Sequence, residues 1–288
     1  MVTGAFRVLK RNDPLRLAGA TAFFTSFALP PIVIILFQIF SLFLGEKELG
    51  GEIREVLVAT FGQEGSMQIR ATIRGMRRAA SDPYVAIGGF LFLIFIATTL
   101  FTVIKNSLND IWNIRIADRP GILFNLSSRA RAFIVILLTG LLFLASIFID
   151  SVGVLAGDQI KSVWPTAGKY FKGIWSELAG VIVVITWFVV LFRFLADGRP
   201  GWRACIVGGI LTGVLYSAGK LGISAMLKNS NIVNIYGASA SIVLILLFVF
   251  YSSFILYYGA AFIKVYSGNE EGVKPGRKAF RYEVQQVE

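Results

Sequence analysis

The chain contains no histidine and one cysteine among its 288 residues, and charged side chains make up only 16% of it. Without histidine there is no Ser-His-Asp triad, no two-histidine metal site and no imidazole proton relay. With Cys205 alone, disulfides within the chain and thiolate metal clusters are excluded, and this residue reads as a small buried filler. Soluble chains average about 25% charged residues, so the shortage of charge argues against a water-soluble domain. What the chain has instead is apolar mass: 56% hydrophobic and 14% aromatic residues, with a mean hydropathy of +0.71.

That mass falls into six runs of about the length that crosses a bilayer, near residues 17–44, 84–104, 132–149, 175–196, 204–227 and 235–263. The expected fold is therefore all-α: one polytopic bundle over residues 1–266, followed by a polar tail over 267–288. The first run is too long for the core of a cleaved signal peptide and reads as a retained anchor. Pro30 and Pro31 stand in its middle. Each removes a backbone donor and clashes with the preceding turn, so this span is expected to kink or break and to line a cavity. The sixth run is longer than a bilayer core requires and is expected to tilt or to begin as irregular backbone around Tyr236-Gly237.

Orientation follows from the cations. The net charge is +11, and with both termini inside, 17 Lys and Arg residues lie on the cytoplasmic side against 10 outside. Distributed in this way, the basic residues flank apolar spans and meet anionic headgroups, and no nucleic-acid surface is expected. The loop 45–83 is the exception. Arg70, Arg74, Arg77 and Arg78 share a helix face there, beside Ile69, Ile73 and Met76, which suggests amphipathic helices at the membrane surface with the arginines on lipid phosphates.

Three further patterns single out residues. Lys220 is the one charge inside a long apolar run, and with Tyr216, Tyr236, Pro30 and Pro31 it is the expected lining of a substrate cavity. Gly209, Gly213 and Ser217 recur every fourth residue, a spacing that lets helix backbones approach within the bundle or across a homo-oligomer. Asn106, Asn109 and Asp110 after the second span, with Arg193 and Asp197 after the fourth, could form an ion-pair network closing the cytoplasmic face, with Asp110 and Arg193 as the direct pair. The competing reading of that region is interfacial capping with Trp112 and Trp202 as anchors.

Several stretches resemble one family. They are the first span with its mid-helix prolines, Lys105 to Ile114 with Asn109-Asp110 and Trp112, and Phe192 to Arg203 with Asp197-Gly-Arg199-Pro200-Gly-Trp202. The glycine-rich helix ending at Lys220, Asn234-Ile-Tyr236-Gly237 and Tyr258-Gly259-Ala-Ala261 complete the set. This looks like the YihY/BrkB family of six-span inner-membrane proteins, once called the ribonuclease BN family. Members commonly carry Gly-Ala-Glu where this chain has Ala261, so a role for that glutamate does not transfer. Metal-dependent cleavage needs clustered carboxylates or histidines, and the 17 acids here are scattered, which makes a membrane nuclease a poor fit. The expectation is a non-enzymatic protein with no metal or cofactor that translocates a lipid or small solute. The alternative is a non-transporting scaffold or envelope-assembly protein.

Overall fold

The computed structural model describes residues 1–41, scattered positions between 58 and 74, and residues 83–116, 122–229, 240–268, 273–275 and 279–281. Arg77, Arg78 and Tyr236 lie outside the described residues, as does most of the expected amphipathic loop. Among the described residues seven helices carry the fold: α1 (Val2–Lys10), α2 (Pro14–Ser41), α3 (Pro83–Ile111), α4 (Ile122–Val163), α5 (Pro165–Val190), α6 (Trp202–Asn229) and α7 (Ala240–Tyr266). Proline opens α2, α3 and α5, where its missing donor costs nothing and its fixed φ favours the first turn.

Among the described residues four segments are long and apolar enough to cross a membrane: Arg129–Gly153, Ile174–Leu195, Trp202–Gly222 and Leu246–Tyr266. Large apolar side chains point outward along the bundle, among them Phe92, Phe95, Leu141, Phe148, Ile182 and Leu221. A hydrophobic exterior of this extent has no soluble counterpart and fits lipid contact.

Two expectations change. The first span is not broken, because α2 runs as one helix through Pro30 and Pro31 to Ser41, which leaves only a kink compatible with the two prolines. The missing amide donors are those that would serve the carbonyls one turn earlier, and the helix continues around them. The loop expected between the third and fourth spans is itself helical. The chain stays in α4 to Val163, turns at the extended Trp164 and re-enters helix at Pro165, so α4 and α5 form one long hairpin. At 42 residues, α4 is about 63 Å long and exceeds a hydrocarbon core of about 30 Å.

The helices close in a ring, α2 to α3, α4, α5, α6, α7 and back to α2, and α1 packs along α7. The described part of the tail does not hang free. Strand β1 (Ile114–Ile116) pairs antiparallel with β4 (Ala279–Arg281), and β2 (Gly198–Arg199) pairs with β3 (Lys274–Pro275). With α1 against the end of α7, these pairings put the N-terminal and C-terminal segments at the same end of the bundle. Val273, 3% exposed, is a core residue there.

Candidate functional site

The site is built where α3 ends. Along its last turns the buried residues are Ile104, Lys105, Ser107, Leu108, Asn109, Ile111 and Trp112, so three polar residues turn inward with the apolar ones. Asn106 and Asp110 fall on the other side and are exposed. Asn113, with φ of 54°, then ends the helix in the left-handed region that asparagine tolerates. Trp112 donates its indole N–H to the Ala260 carbonyl at 2.9 Å, and the Lys264 ammonium donates to the carbonyl of Ile111 at 2.6 Å. Both contacts lock the end of α3 to α7. Ala261, in the middle of that contact zone, is fully buried.

The second component comes from the exit of α5. Its last turn, Leu191–Leu195, is a π-helix, and Ala196 is extended (ψ 164°). A π-turn inserts a residue into the helical register and is frequent at functional sites. Here it breaks the four-residue spacing of Arg193 and Asp197 and sends the two side chains apart. The Arg193 guanidinium bonds the Pro200 carbonyl and lies 5.0 Å from the centroid of the Trp202 ring. The expected Asp110–Arg193 pair is therefore absent from the described residues, for two geometric reasons: Asp110 is on the exposed face of α3, and the π-turn directs Arg193 to its own loop.

Asp197 instead points into the bundle, 8% exposed, and becomes the centre of the site. The Asn109 amide donates to one carboxylate oxygen at 2.8 Å, and the Asp197 backbone N–H donates back to the Asn109 side-chain oxygen at 3.0 Å. Lys105 Nζ stands 3.4 Å from the same carboxylate oxygen. Arg131, from the start of the apolar stretch of α4, reaches the other oxygen at 2.8 Å. Burial alone would raise the carboxyl's pKa. Lys105, the Asn109 bond and Arg131 outweigh it and hold the group below the usual carboxylate range. Burial pushes the Lys105 ammonium down from its ordinary value, with Asp197 opposing.

The result is a polar node joining α3, α4 and the exit of α5, in which Lys105 and Arg131 both meet the Asp197 carboxylate. Its floor is Gly198. A Cβ there would stand 2.4 Å from Ile114, 2.8 Å from Trp112 and 2.8 Å from Val273, so only glycine lets β1, α3 and the tail converge beside Asp197. Among the described residues no three carboxylates or thiols gather to hold a metal. What it can do is bind and release charge.

The remaining sequence candidates are dispersed. Lys220 is exposed on α6, so the described bundle does not enclose its ammonium. Tyr216 is partly buried and packs edge-on against Phe188 and Phe248. Gly209 and Gly213 face α5 inside the chain: a Cβ on Gly209 would meet Val189 at 2.4 Å, and one on Gly213 would meet Ile185 at 2.5 Å. That part of the small-residue stripe is thus occupied by α5 and is not offered to a second copy. Arg70 donates to the Ser66 carbonyl, and Arg74 is exposed. Arg131 and Arg129 lie one to three residues before the third apolar run, where a count of loop charges hides them. Their spacing before an apolar run is the only sequence signal they give.

Residues 5–281 match the family described as virulence factor BrkB, and that span is nearly the whole chain. The chain belongs to this family. Among its BrkB relatives, a "UPF0761 membrane protein" of Saccharophagus degradans is 24% identical over 247 residues, 86% of this chain and 55% of the relative. One of Haemophilus influenzae is 25% identical over 252 residues, 86% of this chain and 88% of the relative. A third, of Pseudomonas aeruginosa, is 25% identical over 249 residues, and 57% of its length is matched. This BrkB-family chain thus spans little more than half of two of these three relatives. No solved structure matches it.

Proposed function

We propose that this BrkB-family protein is a six-span inner-membrane protein with cytoplasmic termini that translocates a lipid or small solute, and that the Asp197 node is the latch of its cytoplasmic end. The node carries this reading. Buried charge is costly in a bundle, and a structural cap needs only apolar packing, whereas this one spends three ionised groups where three helices meet. An electrostatic latch of that kind has two states, made and broken, as a gate requires. The side follows from the excess of cations in the segments that share this end. In this reading α2 and α3 supply the first two spans, the arginines of the first loop touch lipid phosphates on the opposite face, and the protein performs no bond chemistry.

The scaffold reading draws on a different observation. The α4–α5 hairpin is too long for the bilayer and exposes Trp164 and Ile174, a surface that a partner could cover. Reconstitution separates the two. Purified protein in vesicles carrying a fluorescent phospholipid should move that lipid between leaflets, or release an enclosed anionic solute, faster than protein-free vesicles do. A rate equal to that of protein-free vesicles for both cargoes would leave the scaffold.

A further inference from the structure

The ring of helices is not equally tight all round. Of the neighbouring pairs that close it, α3 and α4 share the least contact among the described residues. The seam between them is bridged by charge: by Arg131 and Lys105 through Asp197, and on its other side by Arg129. Arg129 Nη1 donates to the Thr98 hydroxyl at 2.9 Å and to the Phe95 carbonyl at 3.4 Å, and the guanidinium lies 4.4 Å from the centroid of the Phe95 ring.

Thr98 and Phe95 stand seven and ten residues before Lys105 on α3, so the guanidinium is drawn about 10 to 15 Å along the helix from the node toward the bilayer interior. The surface it reaches is apolar and outward-facing, with Leu91, Phe92 and Phe95 all exposed. Among the described residues no carboxylate pairs with Arg129. Both of its bonds use one nitrogen of a group that carries five donors, and both acceptors are neutral. A guanidinium so placed needs an anion, and the exposed hydrocarbon-facing surface around it restricts which anion can approach. An acidic protein segment would have to desolvate its own charge to reach it. A phospholipid brings its phosphate to that depth with acyl chains that match Phe92 and Phe95.

We infer that the outer side of the α3–α4 seam is a binding site for an anionic phospholipid headgroup, with Arg129 as its phosphate ligand. The phosphate takes the donors of Arg129 left over from Thr98 and Phe95, and the acyl chains lie along the exposed face of α3. This site rests only on the chain spanning a bilayer, not on translocation.

The test is native mass spectrometry of the purified full-length protein loaded with phosphatidylglycerol or phosphatidylcholine. The wild type should retain phosphatidylglycerol, and Arg129→Ala should lose about fivefold or more of that retention. Arg129→Lys should keep most of it, and the small phosphatidylcholine signal should be the same in all three proteins. Matching melting midpoints for Arg129→Lys and the wild type establish that charge at an intact fold is being read. Equal phosphatidylglycerol retention in wild type and Arg129→Ala overturns the proposal. So does displacement of the lipid by 10 mM inorganic phosphate, because the site would then select a soluble anion. A protein that holds the lipid but moves no cargo overturns the translocation reading and leaves this site standing.

Discussion

Replacing Asp197 by asparagine probes the node with almost no change in shape. The amide keeps the side-chain volume and one acceptor oxygen but removes the charge that Lys105 and Arg131 share. Lys105 is 5% exposed at its side chain and Asp197 is 7%, so the ammonium left behind cannot turn to water. Arg131 is 34% exposed and recovers part of its hydration. Removing one partner of a buried pair costs about 3–5 kcal/mol, chiefly the cost of the stranded charge. The Arg16–Asp13 pair is the internal control, with side chains 72% and 73% exposed, and such a pair is worth about 0–1 kcal/mol. For a chain of this size, about 2–4 °C of melting midpoint per kcal/mol puts Asp197→Asn roughly 10 °C below the wild type, with Asp13→Asn nearly unchanged. Thermal unfolding of the detergent-purified protein, followed by tryptophan fluorescence, measures both. Adding Lys105→Met to Asp197→Asn removes one of the two cations that lose the carboxylate and should restore part of the loss. If Asp197→Asn melts within 2 °C of the wild type, the node is not an ion pair that the fold depends on.

Three other outcomes follow from the same geometry. The carboxyl of Asp197 is held below its ordinary range, so its stabilisation is complete above about pH 4 and is lost as pH falls further, through its folded-state value. The stability gap between wild type and Asp197→Asn should therefore be constant from pH 7 to 5 and should narrow below pH 4 in an unfolding titration. Gly198→Ala drives a methyl into Trp112, Ile114 and Val273, should cost about 1–3 kcal/mol, and should expose the tail after Gly268 to limited proteolysis. Gly209→Leu collides with Val189 and should lower the melting midpoint by a similar amount, while Gly222→Leu, with nothing within 4 Å of its added Cβ, should be neutral. Size-exclusion mass measurement should show the same oligomeric state for both, because Gly209 packs within one chain.

Helix positions were largely legible in the sequence, because uncharged runs in lipid are as long as the bilayer is thick. The run 204–227 lies within α6 (Trp202–Asn229), and 84–104 lies within α3 (Pro83–Ile111). Where helix continues beyond the apolar run, as α4 does on both sides of 132–149, hydropathy is silent, since backbone hydrogen bonds do not require apolar side chains. The sequence placed Asn109 and Asp197 in one cytoplasmic cluster, and they do meet. The rest of the pairing was not legible, for two local reasons. The face of α3 is set by tertiary packing that turns Lys105 inward and Asp110 outward, and the π-turn at Leu191–Leu195 undoes a four-residue spacing that a sequence shows as an α-helical neighbour pair. The tail strands were invisible because two- and three-residue pairings leave no periodicity.

Lipid exchange in reconstituted vesicles, at a temperature below the melting point of the variant, tests most directly whether the Asp197 node is the latch of a translocating bundle. Wild-type protein should move fluorescent phosphatidylglycerol between leaflets, and Asp197→Asn, with its latch broken, should change that rate about threefold or more, an effect of about 0.7 kcal/mol on the gate. A variant rate indistinguishable from the wild type would contradict the latch, and a wild-type rate equal to that of empty vesicles would contradict lipid translocation itself.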